Sequence, residues 1–282
     1  FHRNRKVGKF LNFRKWRMLE AWLNYMACEV IAELPSTPNT NSNNATTRFD
    51  MKKDQVIFAI IPHGIVPLSL GFASWPQRIH DAFGEFRPVA ATATHFLPFL
   101  RTLMDWNNCV DASKPAIEGA LSKGERIALS PGGIAEMFEG YPKPNRHPND
   151  ECVILNSRKG FVKLALKNNI PLVPVFCFGA SKTFKRLQLP KIVESISNLL
   201  RLSIVIIFGR YGLPIPFAQK LLWVIGEPIK PPSSNAGSLD ENSEEFKKLV
   251  DELHSKFCEE LTGIFERHKQ AYGWGHKNLR II

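Results

Sequence analysis

The 282-residue sequence is short of the features that mark most enzyme and binding classes. It has five cysteines, Cys28, Cys109, Cys152, Cys177 and Cys258, with no CxxC pair and no Cys/His cluster at zinc spacing. A metal site is therefore not expected, and free thiols in a reducing compartment are. There is no Gly-x-Ser-x-Gly elbow, which argues against a serine hydrolase. There is also no phosphate-binding P-loop, no Gly-x-Gly-x-x-Gly fingerprint and no nucleic-acid motif, so nucleic acid is not an expected partner. A cleavable signal peptide is missing. The longest apolar run, residues 56–73, approaches the roughly 18–20 residues that span a bilayer, but Pro62, His63, Gly64 and Pro67 interrupt it. A strand, a turn and a new element are expected there instead of one spanning helix.

What is present is ordinary globular composition, 44% hydrophobic and 22% charged, with a formal net charge of +11. That balance favours polyanionic partners: nucleic acid, an anionic membrane surface or a phosphate-bearing substrate. Residues 1–34 interleave Lys9, Arg14, Lys15 and Arg17 with Phe10, Phe13, Trp16 and Trp22. Leu19, Trp22, Leu23, Met26 and Val30 recur at helical spacing, which predicts a basic amphipathic helix. Such a helix suits a membrane interface, or equally packs on the domain with a solvated basic face. Residues 35–50 read as a polar linker, and 51–282 as the main domain.

From there strand and helix signals alternate. Strands are expected at 56–61, 88–92, 126–130, 172–178, 203–208 and 222–225. Helices are expected at 157–168 and from Pro115 to about Gly124. The clearest helix carries Phe246, Leu249, Val250, Leu253, Phe257, Leu261 and Ile264 at a 3–4 residue period. The alternation implies an α/β fold, a mostly parallel twisted sheet flanked by helices.

Candidate chemistry sits after the strands. His63, in Ile61-Pro62-His63-Gly64, follows the first strand, where open α/β sheets hold their ligands. It is placed to take a proton from a nucleophile, or simply to hydrogen-bond its own loop. The Ser130-Pro131-Gly132-Gly133-Ile134-Ala135-Glu136 loop also follows a strand. Its glycines allow backbone N–H groups to approach an oxyanion or phosphate, and Glu136 would orient the His63 imidazole if the loops meet. Two basic clusters, Arg158-Lys159 with Lys163 and Ser181 to Arg186, either hold phosphates or form solvated faces.

Taken together, the segments resemble the type-2 diacylglycerol acyltransferase family. The residues that carry the likeness are Pro62-His63-Gly64, the 130–136 loop, residues 158–163, residues 172–176, Gly209-Arg210-Tyr211-Gly212-Leu213-Pro214-Ile215-Pro216 and Tyr272-Gly273-Trp274-Gly275. They stand in family order over roughly residues 55–282. The resemblance implies a glycerolipid-acyltransferase-like fold with His63 as the catalytic residue, and Glu136 is the candidate if His63 needs a carboxylate partner. Pro62, Gly64, Gly132, Gly133, Arg158, Lys159 and Lys163 would contact substrate. It implies acyl-CoA as co-substrate with no further cofactor, and a diacylglycerol hydroxyl as acceptor; a monoacylglycerol or long-chain alcohol is the alternative. A non-catalytic lipid-droplet surface protein is the alternative of another class. The implied setting is the endoplasmic reticulum membrane and lipid droplets, with the domain facing the cytosol and room for a homo-oligomer. Family members carry an N-terminal hydrophobic hairpin, which would lie before Phe1. The sequence departs from the wider glycerolipid pattern His-x4-Asp, because Leu68 stands where that Asp would be.

Overall fold

The apolar run at 56–73 divides as its prolines and glycine require. A five-residue strand ends at Ile61, a turn follows, and a helix begins at Leu68. The computed structural model describes residues 9–33, 50–96, 98–138, 147–187, 206–232 and 236–282. Its strands are β1 (Glu29–Ala32), β2 (Ile57–Ile61), β3 (Arg87–Ala90), β4 (Val110–Asp111), β5 (Ile127–Leu129), β6 (Asp150–Val153), β7 (Leu172–Phe178), β8 (Lys185–Arg186), β9 (Ile207–Phe208), β10 (Leu222–Ile225) and β11 (Asn278–Ile281). Its helices are α1 (Arg17–Tyr25), α2 (Leu68–Ser74), α3 (Gln77–Phe83), α4 (Pro98–Trp106), α5 (Lys114–Leu121), α6 (Gly133–Met137), α7 (Gly160–Asn168) and α8 (Glu244–Lys269).

Among the described residues the main sheet has the order β1-β10-β7-β2-β5-β3-β4. The strands from β7 to β4 run parallel, while β10 is antiparallel to β7 and carries β1 at the edge. The expected mostly parallel α/β fold is thus the observed one. Alternate residues of each central strand feed opposite cores. Ile57, Ala59 and Ile61 join the layer of α5, α7 and α8, whereas Phe58 and Ile60 join that of α1, α2 and α3. Helix α8 is capped by Ser243, whose hydroxyl accepts from the Phe246 N–H at 3.2 Å. Its acidic first turn and basic last turn complement the helix dipole.

The N-terminal expectation needs correcting. The helical spacing ends at Tyr25, and Val30 lies instead in β1, paired with Trp223 of the main sheet. Extended backbone wins there because the edge of β10 offers a full ladder of hydrogen-bond partners. Leu19 and Leu23 are buried, so the apolar face of α1 packs on the domain. The 203–208 strand is seen only as Ile207–Phe208, paired with β8 outside the main sheet; 203–205 fall outside the described residues, as does most of the 35–50 linker. Among the described residues no helix is long and apolar enough to cross a membrane.

The N-terminal ends of the strands are tied by one buried cation. Arg126 donates to the carbonyls of Lys52 (2.6 Å), Glu85 (3.0 Å), Phe83 (3.0 Å) and Met51, and lies over the Phe58 ring. Gly84, between two of these segments, has φ +74°, and a Cβ there would strike the Lys52 backbone and the guanidinium itself. Arg126→Leu leaves four carbonyls without their donor. It should cost about 3 kcal/mol, since hydrogen bonds to charged groups contribute roughly 1.5–3 kcal/mol each and losses do not add fully. Urea unfolding followed by circular dichroism measures it.

Candidate active site

The strand β2 delivers Pro62, His63 and Gly64 to the carboxyl edge of the sheet, after a cis Ile61–Pro62 bond. The Pro62 carbonyl accepts from Ser69 Oγ at 2.8 Å, and the Ser69 carbonyl accepts from Trp223 Nε1 at 2.9 Å. Gly64 has φ +71°, and a Cβ would stand 3.1 Å from the Ala180 carbonyl oxygen, so the turn requires glycine. This turn aims the Gly64 carbonyl at its neighbour: His63 Nδ1 lies 2.9 Å from it. A carbonyl can only accept, so Nδ1 carries the proton and Nε2 keeps a lone pair in the neutral ring. His63 keeps part of its surface accessible, yet protein surrounds the ring densely. Burial lowers its pKa below the ordinary value of 6.5, and the Gly64 carbonyl opposes this.

Glu136 does meet the His63 loop, but not through the imidazole. Its Oε2 accepts the His63 backbone N–H at 2.5 Å, and its Oε1 accepts the Ile154 backbone N–H at 3.0 Å. The carboxylate is buried, where backbone donors compete for every available acceptor. The orienting role expected of it falls to the Gly64 carbonyl. Gly132 lies under the carboxylate, and a Cβ there would overlap the Glu136 side chain. Gly133 has φ +53° and gives its N–H to the Ser130 carbonyl at 3.2 Å, whereas no acceptor among the described residues meets the Gly132 N–H. Ser130 Oγ donates to the Ile60 carbonyl at 2.7 Å and joins this loop to β2.

Beside the loop opens a cleft of about 520 Å³. Val89, Ile117, Leu129, Phe161 and Leu164 supply apolar walls; Lys114, Arg158, Lys163 and Lys167 supply cations; Ser130 and Pro131 join it to the glycine loop. His63 is not among its lining residues. Lys114 pairs with Glu241 at 2.9 Å, and Lys167 donates to the Leu239 carbonyl at 2.8 Å. Arg158 and Lys163 have no ion-pair partner among the described residues. Lys159 points elsewhere, to Asp251 of α8 at 2.7 Å, because it lies just before α7 while α8 packs alongside.

Ser181, Lys182 and Arg186 of the 181–186 cluster are also committed internally. Lys182 and Lys277 both meet Glu151 Oε1, at 2.7 and 2.6 Å, and Ser181 Oγ donates to Glu151 Oε2 at 2.5 Å. Arg186 donates to the Phe138 carbonyl at 3.0 Å. Glu151 and Lys277 were not legible in the sequence: a lone Glu and a lone Lys 126 positions apart give no local signal. Lys114 and Lys167 were missed for the same reason. Cys177 is fully buried and burial holds its thiol protonated, so it is unsuited to act as a nucleophile. Among the described residues no three His, Cys, Asp or Glu side chains are grouped to hold a metal.

Similarity to known proteins gives this arrangement of a mostly parallel sheet, a histidine turn at its carboxyl edge and a neighbouring basic cleft its family. The sequence profile of the family described as Diacylglycerol acyltransferase matches residues 42–281, and the chain belongs to that family. Diacylglycerol O-acyltransferase 2 from Dictyostelium discoideum is 29% identical over 243 residues, covering 80% of this chain and 69% of the relative. The Homo sapiens protein of the same name is 29% identical, covering 77% of this chain and 57% of its own length. 2-Acylglycerol O-acyltransferase 1 from Bos taurus is also 29% identical, covering 77% and 66%. The chain thus spans a little over half to two thirds of these relatives. A crystal structure of a 1-acyl-sn-glycerophosphate acyltransferase from Thermotoga maritima aligns with TM-score 0.43 and 17% identity, over 87% of this chain and 77% of the other.

Because Glu136 occupies the space above Gly132, Gly132→Ala should push the carboxylate off the His63 N–H. Losing one charge-assisted hydrogen bond of about 1.5–3 kcal/mol should lower turnover roughly 10-fold or more with the fold retained. Acyl-transfer rates beside a thermal melt check this; unchanged turnover would show that Glu136 does not set the His63 position.

Proposed function

We propose that the chain transfers a fatty acyl group from acyl-CoA directly to the free hydroxyl of diacylglycerol, with His63 as general base. The observation that carries this reading is the Nδ1–Gly64 hydrogen bond, which fixes the tautomer that leaves Nε2 able to accept a proton. Nε2 takes the hydroxyl proton as the acceptor oxygen attacks the thioester carbonyl. The tetrahedral oxyanion is steadied by the Gly132 N–H. Collapse breaks the C–S bond, and the imidazolium returns the proton to the departing thiolate, so no charge is left on the protein. The lowered pKa favours this role, because it keeps the ring neutral at physiological pH.

The cleft supports a nucleotide-bearing donor. Its apolar walls suit an acyl or pantetheine chain, and Arg158 and Lys163, which have no ion-pair partner among the described residues, suit the phosphates of CoA. The setting belongs to the same proposal. An acceptor that is insoluble in water calls for a membrane surface, and five free cysteines suit the cytosolic side of the endoplasmic reticulum membrane and of lipid droplets. A 2-acylglycerol acceptor is the second reading, favoured by the relative of that name at equal identity.

Labelled oleoyl-CoA offered with diacylglycerol, 2-acylglycerol or a long-chain alcohol in liposomes tests the acceptor. The expected main product is triacylglycerol. His63→Ala should lose about 10²–10⁴ in rate, the usual contribution of a positioned base. Wild-type turnover in that variant would overturn the assignment. Protonation silences the base, so activity should fall on the acid side, with the midpoint of that limb below about 6.5, the unperturbed histidine value.

Arg158→Ala and Lys163→Ala should each raise the KM for acyl-CoA several-fold to about 10-fold, leave kcat nearly unchanged, and weaken the salt dependence of KM. Steady-state kinetics at two ionic strengths measures this. A fall in kcat alone would assign these side chains to chemistry instead of binding.

A further inference from the structure

We infer that the flank formed by α4, the 92–96 turn before it and the N-terminal 11–15 turn is the surface on which this chain lies against an anionic bilayer. The inference rests on the proposed lipid acceptor only for its consequence, not for its observations. Helix α4 buries none of its residues, although its sequence is as amphipathic as that of α1, whose Leu19 and Leu23 are buried in the domain. Phe96 and Phe99 are 78% and 74% exposed, a large exposure for phenylalanine. Phe99 and Trp106 lie seven residues apart and so share a face of the helix. At Trp106 the apolar surface continues across the N-terminal segment, with Phe10 at 5.5 Å and Trp16 at 5.8 Å between ring centres. Phe10, Trp16 and Met18 are themselves 40%, 42% and 57% exposed.

The charges beside this patch select its occupant. Lys9, Lys15 and Arg17 are exposed and have no ion-pair partner among the described residues. A second copy of the chain would set these cations against their like, whereas anionic headgroups neutralise them while the aromatic rings enter the acyl boundary. Position gives the surface its use. The parallel strands β2, β5 and β3 end on one edge of the sheet, so the 92–96 turn and the start of α4 emerge on the same edge as His63. With β3 two strands from β2, that is a lateral step of about 10 Å. Phe96 and Phe99 would open the bilayer next to the base, where a lipid hydroxyl has to arrive.

The test is flotation with vesicles of phosphatidylcholine, with and without phosphatidylserine. It compares wild type, Phe96→Ser with Phe99→Ser, and Lys9→Glu with Lys15→Glu and Arg17→Glu. Tyr211→Ser with Leu213→Ser serves as a control, since these apolar residues are also exposed, at 79% and 51%, but distant in sequence from the flank. Wild type and the control should float with the phosphatidylserine vesicles. The phenylalanine variant should bind at least 10-fold more weakly, and the charge-reversed variant should lose its preference for phosphatidylserine. The surface is refuted if wild type stays unbound, if the phenylalanine variant binds as wild type does, or if the control loses as much. A dimer that the phenylalanine variant splits without loss of flotation would show that a second copy occupies the face. Acyl transfer in detergent micelles separates this inference from the proposed function. The phenylalanine variant should keep wild-type turnover there, while absence of transfer by every protein alongside normal flotation would refute the acceptor and leave the surface standing.

Discussion

Glu136 ties the end of β2 to the chain leaving β6 by accepting one backbone N–H from each, His63 on one oxygen and Ile154 on the other. Both donors lie at strand ends, where the ladder no longer supplies acceptors, and an unpaired buried N–H is costly. A carboxylate answers both at once, which no neutral side chain of that length does as strongly. The His63 position therefore depends on Glu136, and Glu136 depends on Gly132 having no side chain. The His63 turn is held from its backbone, which leaves the imidazole to be oriented by its own neighbour, Gly64.

The strand β6 carries a second tie of the same kind. Glu151 binds Lys182, Lys277 and Ser181, and so fixes the turn after β7 whose Ala180 carbonyl lies against Gly64. Burying a carboxylate is expensive unless it is fully paired, and here two ammonium groups and a hydroxyl pair it. Two acidic residues near one short strand thus fix the site from both sides. In the cleft, Arg158 and Lys163 have no ion-pair partner among the described residues. Charges spent on internal geometry and charges left for a ligand can be told apart by their partners.

Much of the scaffold was legible because its period is local. The apolar run at β2 and β7 marks strands buried on both faces, and the 3–4 spacing from Phe246 to Ile264 marks α8. Pro62-His63-Gly64 and the 130–136 loop were legible as motifs. The contact between them was legible only as an expectation of proximity, and its form was not, since nothing in a sequence says whether a carboxylate meets a ring or a backbone N–H. Val30 looked helical because its spacing continues that of α1, and the ladder offered by β10 decided otherwise. The pairing of Lys159 with Asp251, and of Lys182 and Lys277 with Glu151, depends on packing between distant segments.

The parallel pairing of β11 with β6 sets an order in time. The ribosome delivers His63 and Glu136 long before Lys277 and the strand Asn278–Ile281 that follows it. Until those residues emerge, β6 lacks its only neighbour among the described strands and Glu151 lacks one of its two ammonium partners. Before residues 277–281 are made, the chain holds His63 and Glu136 without the full set of ties that settles the turn after β7.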